Sequence, residues 1–389
     1  MKKLLIGLLA LTAWTFVSCH KDNKEEDPKA ERTVLIYMAA QNNLNSYAHY
    51  DLEEILQGVK RIGNNHLVIY HDRAMQDPVL LHYRNGELRD SIPMDPAAVV
   101  CDPATLKAVA KKAFTDYPAN DYGLVLWGHA SGWLMRKDTL AYAGARRRAY
   151  GGTNMSGSNV GAGDKWMNVH MMAKALAEVP HMKFILADCC NMMCAECAYE
   201  LKDVCDYYIG SAAEIPGNGA PYDQIIPAMM EKETFYQSIC DKYATKYNDH
   251  VPLAVVKTSE MVSLAQATGT ILKTLDPPQY YKSTEFRDKK LIYYLDYNLY
   301  DMNHFLMSYA SEAEYNSWKQ AFDKAVIYKK FASYWDTMNH VYFQYLDMTE
   351  ENYGGMSMFI PQQGLQNTDN QEIKKTRWYY AAGYDEIGW

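Results

Sequence analysis

The segment Met182-Lys183-Phe184-Ile185-Leu186-Ala187-Asp188-Cys189-Cys190 limits what this chain can fold into more than any other stretch. Its apolar and aromatic centre reads as a buried strand, the kind found in sheets covered on both faces. A helical pattern from Asn191 to Leu201 follows directly. Cys190 is therefore expected where a strand gives way to a helix. Unpaired N–H groups and the positive end of a helix dipole favour a thiolate there. Upstream, Tyr122-Gly123-Leu124-Val125-Leu126-Trp127 reads as a second buried strand, and His129 stands in the small-residue turn after it. In a parallel sheet two such strand ends can face each other, which is what a Cys–His nucleophile pair requires. The pairing predicts chemistry of the cysteine-peptidase kind.

Strand-like and helix-like segments alternate from Thr33 to about Glu260. Candidate strands are Val34–Met38, His66–His71, Leu124–Gly128, Phe184–Ala187, Tyr207–Gly210 and Leu253–Val256, with helical patterns at Ser46–Val59, Pro103–Tyr117 and Val169–Glu178. Val79–Arg89 reads as a hairpin, because Asn85-Gly86 favours a tight turn. Such alternation predicts an α/β fold with a mostly parallel sheet between helices. From Met261 onward the pattern is mainly helical, and Met356–Ile360 is expected to return to the main sheet. Residues 261–389 are thus assigned to a C-terminal lobe and 32–260 to the core. His304 and His340, in helical surroundings, are read as surface or satisfied core residues.

These stretches resemble the clostripain family of cysteine peptidases, relatives of the caspases and gingipains. That family has a strand ending in W-x-H-G-x-G-W and a later one ending in D-A-C, its histidine and cysteine forming the catalytic dyad. The matching residues are Trp127, His129, Gly132 and Trp133, then Asp188 and Cys190. Thr33 to Leu44 resembles the first strand of the family, with Gln41 where an Asp is usual. Ser211 to Gly219 resembles the S-E-E-x-x-P-G-x-G loop, and Tyr353 to Pro361 a late strand. The resemblance implies a caspase-like α/β/α sandwich with His129 and Cys190 as the dyad. It also implies an oxyanion hole from the N–H groups of Ala130 and Cys190. Asp188 would then help form a pocket for a basic side chain before the cut, with Glu214 on its wall beside Pro216 and Gly217.

Two departures bear on this. Ala130 replaces the glycine after the histidine, which is harmless unless the turn needs a positive φ. Cys189 replaces an alanine and raises the question of which thiol reacts. Side chains alternate along a strand, so only one of the two can face His129, and the motif selects Cys190. For Asp188 a helix N-cap role stays open beside the pocket role.

The remaining features bound location and chemistry. Lys2 and Lys3 precede an apolar run from Leu4 to Val17, and Phe16-Val17-Ser18-Cys19 looks like a bacterial lipobox. Residues 1–18 are read as a signal peptide, or a plain secretory signal cut near Ser18, and Cys19 as the lipidated residue. The acidic tether that follows, up to residue 31, resembles the surface-export signals of Bacteroides-type lipoproteins. An exported, outer-membrane, surface-exposed protein is expected. A net charge of −8 gives no footprint for nucleic acid. Seven further cysteines, an odd number, argue against a full disulfide framework. Cys190, Cys194 and Cys197 share helical spacing, but packing by small hydrophobes is favoured over a metal site. No cofactor is required, with calcium left open. The stretch from Ser131 to Trp166 lacks hydrophobic periodicity and is expected to be an exposed, mobile loop. It holds Arg146-Arg147-Arg148, a candidate self-cleavage site in a basic-specific zymogen. Two other functional classes remain in view: a peptidase-like binding lipoprotein and a thiol-metal or redox protein.

Overall fold

The computed structural model describes residues 28–135, 150–153, 165–275, 281–295, 299–332, 348–362 and 368–389. The first five strands are β1 (Ala30–Ala40), β2 (His66–Arg73), β3 (Val79–Arg84), β4 (Glu87–Pro93) and β5 (Ala119–Trp127). They are followed by β6 (His129–Ala130), β7 (Tyr150–Thr153), β8 (Lys165–Met167), β9 (Met182–Asp188) and β10 (Cys205–Gly210). The last are β11 (Leu253–Lys257), β12 (Tyr293–Leu295), β13 (Leu299–Asp301), β14 (Val326–Lys330) and β15 (Ser357–Phe359). Nine of these form the main sheet, in the order β14-β11-β10-β9-β5-β1-β2-β3-β4. The five central strands, β10 to β2, pair in parallel, and two antiparallel strands extend each edge.

Alternation divides the strand residues between two apolar layers. Leu35, Tyr37 and Ala39 of β1 join Leu124, Leu126, Ile185 and Ala187 on one face. Val34, Ile36 and Met38 join Val125, Trp127, Phe184 and Leu186 on the other. Helices Asn45–Gly58, Tyr222–Met229 and Phe235–Lys246 cover the second face. Helices Pro103–Asp116, Val169–Leu176, Ala195–Leu201 and Met261–Leu272 cover the first. The expected strands and helices are present, most with slightly wider limits. Asp102 caps its helix by accepting from Ala104 N at 2.8 Å, with Pro103 at the first helical position. Asn85 and Gly86 both have positive φ, as the hairpin turn requires.

Three expectations need correction. Met356–Ile360 does not join the main sheet: β15 pairs with β13 in a separate three-stranded sheet, and β14 makes the return instead. A short apolar strand fits either sheet, and periodicity carries no address. The described ends of the 131–166 stretch are not an exposed loop. Trp133, Leu134, Tyr150 and Trp166 are buried, and β7 pairs with β6 on one side and β8 on the other in a second small sheet. Finally, the helix after Cys190 begins only at Ala195, because Asn191 adopts a positive φ and turns the chain. Cys190 therefore does not share a helical face with Cys194 and Cys197, both of which are fully buried.

Candidate active site

In the chain order of the sheet, β2 lies on one side of β1 and β5 on the other. The strand order thus reverses at β1, and the crevice outside the carboxyl ends of such strands is where open α/β sheets bind ligands. Three chain segments leave the sheet there: residues 41–44 after β1, 128–130 after β5, and 189–194 after β9. With Ile215–Gly219 they enclose a cavity of about 160 Å³. Asn43, Leu44, Tyr47, Trp127, Gly128, His129, Asp188, Cys189, Cys190, Ile215, Pro216, Gly217 and Gly219 line it. This is smaller than the roughly 300–1,000 Å³ of small-molecule pockets and suits a single side chain.

His129 is buried, and its Nε2 lies 2.8 Å from Asn43 Oδ1. With the amide oxygen accepting, the ring proton sits on Nε2 and Nδ1 is the basic nitrogen. Asn43 is itself held in a braced corner. Its neighbour Asn42 donates to the carbonyls of Ala39 at 3.0 Å and Gly152 at 2.8 Å, and accepts from Leu44 N at 2.8 Å. Gly128 and Gly132 have positive φ, whereas Ala130 is absent from the positive-φ residues. The alanine after the histidine therefore sits in ordinary extended backbone without strain.

Cys189 and Cys190 point to opposite faces of the sheet. Cys189 is buried in the first apolar layer, where burial and the Asp188 charge push its thiol far up. Cys190 is half-buried against the second layer, and Ile215 N donates to its Sγ at 3.3 Å. Among the described residues seven cysteines are free thiols, and Cys190 is the only one of these that is not buried. The turn below it is clamped: Asn191 N donates to Ala213 O, Met193 N to Ser211 O, and Ser357 N to Met193 O.

Asp188 lines the cavity and is itself buried. It accepts from the hydroxyls of Tyr222 and Tyr243 at 2.7 Å each and from Ala220 N at 3.3 Å. Burial nevertheless raises its pKa above the usual carboxylate range. It caps no helix in this arrangement. Pro216 and Gly217 form part of the cavity wall, but Glu214 does not. Asn43 and Trp127 were not foreseen as site residues. The Asn42-Asn43 pair after a buried strand was the available signal. Arg146, Arg147, Arg148, Cys19 and His340 lie outside the described residues. His304 is satisfied, its Nδ1 accepting from Ile292 N at 3.2 Å. Among the described residues no group of three or more His, Cys, Asp or Glu could hold a metal ion. Among them, too, no helix is long and apolar enough to cross a membrane.

A caspase-like sandwich with this thiol-bearing crevice defines a cysteine peptidase, and the similarities to known proteins agree. The chain belongs to the clostripain family, whose family model matches residues 36–384. It is 26% identical to a secreted C11 cysteine protease from Bacteroides thetaiotaomicron, solved with an irreversible peptide inhibitor. That match has a TM-score of 0.76 and covers 92% of this chain and 100% of the other. It is 30% identical to an inactive zymogen C11 protease from Parabacteroides distasonis, with a TM-score of 0.74 and coverage of 91% and 98%. No curated protein matches the chain.

Proposed function

We propose that this chain is an endopeptidase that cuts after Arg or Lys, with Cys190 as nucleophile and His129 as its proton-transfer partner. One observation carries this reading: of the seven described thiols only Cys190 escapes burial, and it does so into the cavity that His129 and Asp188 also line. The Cys190 thiolate attacks the scissile carbonyl, and the N–H groups of Ala130 and Cys190 hold the resulting oxyanion. The C–N bond then breaks, His129 protonates the leaving amine, and a thioester remains. Water attacks the thioester with His129 taking its proton, which regenerates the thiol. Asn43 keeps the ring proton on Nε2, so that Nδ1 does this work. Asp188 draws a guanidinium or ammonium into the cavity. The peptide inhibitor held by the secreted relative supports a peptide substrate.

The two sequence departures that favoured a binding role lose weight here. Ala130 is unstrained, and Cys189 packs as a small hydrophobe. Cleavage of a panel of Arg, Lys, Asn and Asp reporter peptides tests the proposal. Hydrolysis confined to Arg and Lys, and absent in Cys190→Ala, is the expected result. Turnover of the acidic reporters alone would reject it.

Activation by self-cleavage at Arg146, Arg147 or Arg148 belongs to the same reading. The described strands that flank them, β6 and β7, pair at His129 and Ala130. Such tethering gives an effective concentration of ~1 mM. A relative caught as an inactive zymogen adds support. New N-termini at Arg147, Arg148 or Ala149 in wild type, with an intact Cys190→Ala chain, are expected. Lipidation at Cys19, and with it an outer-membrane, surface location, is checked by mass spectrometry of the native N-terminus.

A further inference from the structure

Helix Asn45–Gly58 turns a stripe of Ala48, Asp51, Ile55 and Gly58 into the protein. Three of the four are what an amphipathic helix needs there. Asp51 is not: it is a carboxylate, 1% exposed, on an apolar face. An isolated buried carboxylate is costly, so its surroundings should explain it. Trp127 Nε1 donates to Asp51 Oδ2 at 2.6 Å, and Trp127 lines the cavity. Gly219, also on the cavity wall, has φ +53°. A Cβ placed on it would lie 3.0 Å from Asp51 Oδ2 and 3.2 Å from Asp188 Oδ2. The two carboxylates therefore converge beneath one glycine. Lys246, the cation whose charge acts on both carboxylates, is drawn off by Glu54 at 3.2 Å and by the carbonyls of Asn218 at 3.0 Å and Ala220 at 3.2 Å. Three acids stand here against one lysine.

We propose that Asp51 is a second specificity carboxylate, which acts with Asp188 from behind Trp127 and Gly219 to select a cationic side chain over an uncharged isostere. This rests on the reading that the cavity takes a basic side chain. Because Asp51 touches neither the thiol nor the reacting carbonyl, it is a specificity residue and not a catalytic one. Burial, then the charge of Asp188, pushes the Asp51 pKa up to about 8, while the Trp127 bond opposes the shift. Around neutral pH Asp51 therefore holds its proton much of the time. A bound cation favours the ionised form, so discrimination rises as pH passes through about 8. The groups facing this pair are Glu54 on the helix of Asp51, Trp127 from β5, Tyr222 from the next helix, and Tyr243, Lys246 and Tyr247 from the helix beyond or its end.

The experiment compares kcat/KM for two reporters that differ only in Arg against citrulline before the cut. Taking the ratio cancels ionisations of Cys190 and His129 that both substrates share. In wild type the ratio should rise from pH 6.5 to 9 with a midpoint near 8. In Asp51→Asn, which keeps an acceptor for Trp127, it should fall roughly 10- to 100-fold at pH 8.5 and lose its pH dependence. An unchanged ratio in a folded Asp51→Asn overturns the inference while leaving the basic-specific reading intact. If that variant does not fold, the wild-type profile decides, and a ratio flat with pH overturns the inference. A wild type that does not prefer Arg to citrulline at any pH overturns both.

Discussion

Two histidines with polar partners stand at opposite ends of the same parallel sheet. At the carboxyl end, His129 Nε2 meets the neutral amide oxygen of Asn43 at 2.8 Å. At the amino end, His82 looks better equipped. Its Nδ1 lies 3.1 Å from Asp90 Oδ2, its Nε2 lies 2.9 Å from His66 Nδ1, and the ring stacks on Tyr117 at 3.7 Å. Tyr117 also donates to Asp90 at 2.9 Å. An Asp–His relay thus lines a cavity that holds no thiol, while Cys190 shares its cavity with a histidine oriented by an amide. A histidine–carboxylate pair by itself is a packing solution for buried polar groups. A cavity alone does not decide between the two, since His66, His82 and Tyr117 line one of about 560 Å³. Position and lining do, because the crevice at the carboxyl ends is where open α/β sheets bind ligands, and it alone of the two holds a thiol.

The widest separation between the two ends is expected from the thiols. Cys190→Ala should abolish hydrolysis of Arg and Lys reporters, while Cys189→Ala keeps most of it, because Cys189 faces the opposite layer. His129→Ala should lose roughly 10²- to 10⁴-fold in kcat, the usual share of a proton-transfer partner. Steady-state rates together with iodoacetamide labelling check this. A Cys189→Ala protein as dead as Cys190→Ala would break the distinction between the adjacent thiols.

Much of the carboxyl end could be read from sequence, because its chemistry rides on long periodic strands. Leu124 to Trp127 and Phe184 to Ala187 are continuous apolar runs, and each delivers its reactive residue a fixed number of positions later. What escaped depends on contacts across the chain. Asn43 reaches His129 from 86 positions away, and no local pattern encodes such a meeting. Asp51 went unread in the sequence, although it is an acid in an otherwise apolar helical stripe. The small sheet of β6, β7 and β8 left almost none, since Tyr150-Gly151-Gly152-Thr153 is too short and glycine-rich to read as a strand. Gly151 and Gly152 are nonetheless required: both have positive φ, and a Cβ on either would collide, with Cys101 Sγ at 2.5 Å or the Trp166 ring at 2.5 Å.

An intermediate effect should come from the amide that orients His129. Asn43→Ala removes the acceptor for Nε2–H and lets the ring change tautomer, so kcat should fall about 10- to 100-fold with little change in KM. Asn43→Asp should restore much of the rate. A carboxylate beside the ring favours its charged form, so the alkaline limb of the pH–rate profile should move to higher pH. A role that is only structural would lower rate and stability in both variants without moving the profile.

The smallest effect on catalysis is expected at the better-equipped histidine. His82→Gln should leave the Arg and Lys reporter rates within about twofold, since no residue of the cavity touches it. Stability should respond instead, by about 1 kcal/mol for the lost hydrogen bonds at neutral pH and above. The sign of its pH dependence follows from burial, which lowers the His82 pKa from its ordinary 6.5 despite Asp90, with Arg84 and Arg89 adding to the decrease. A depressed pKa means that folding favours the neutral ring. The stability it contributes is present above about pH 6.5 and is lost as the pH falls through the folded value. Wild type should therefore exceed His82→Gln in thermal midpoint at pH 8, and the gap should shrink towards pH 5. The measurement is best made in the Cys190→Ala background, where self-digestion cannot distort the melting curve. A gap that widens on acidification would mean that Asp90 holds the ring charged in the fold. The amino-end relay would then be an ion pair and not a neutral packing network.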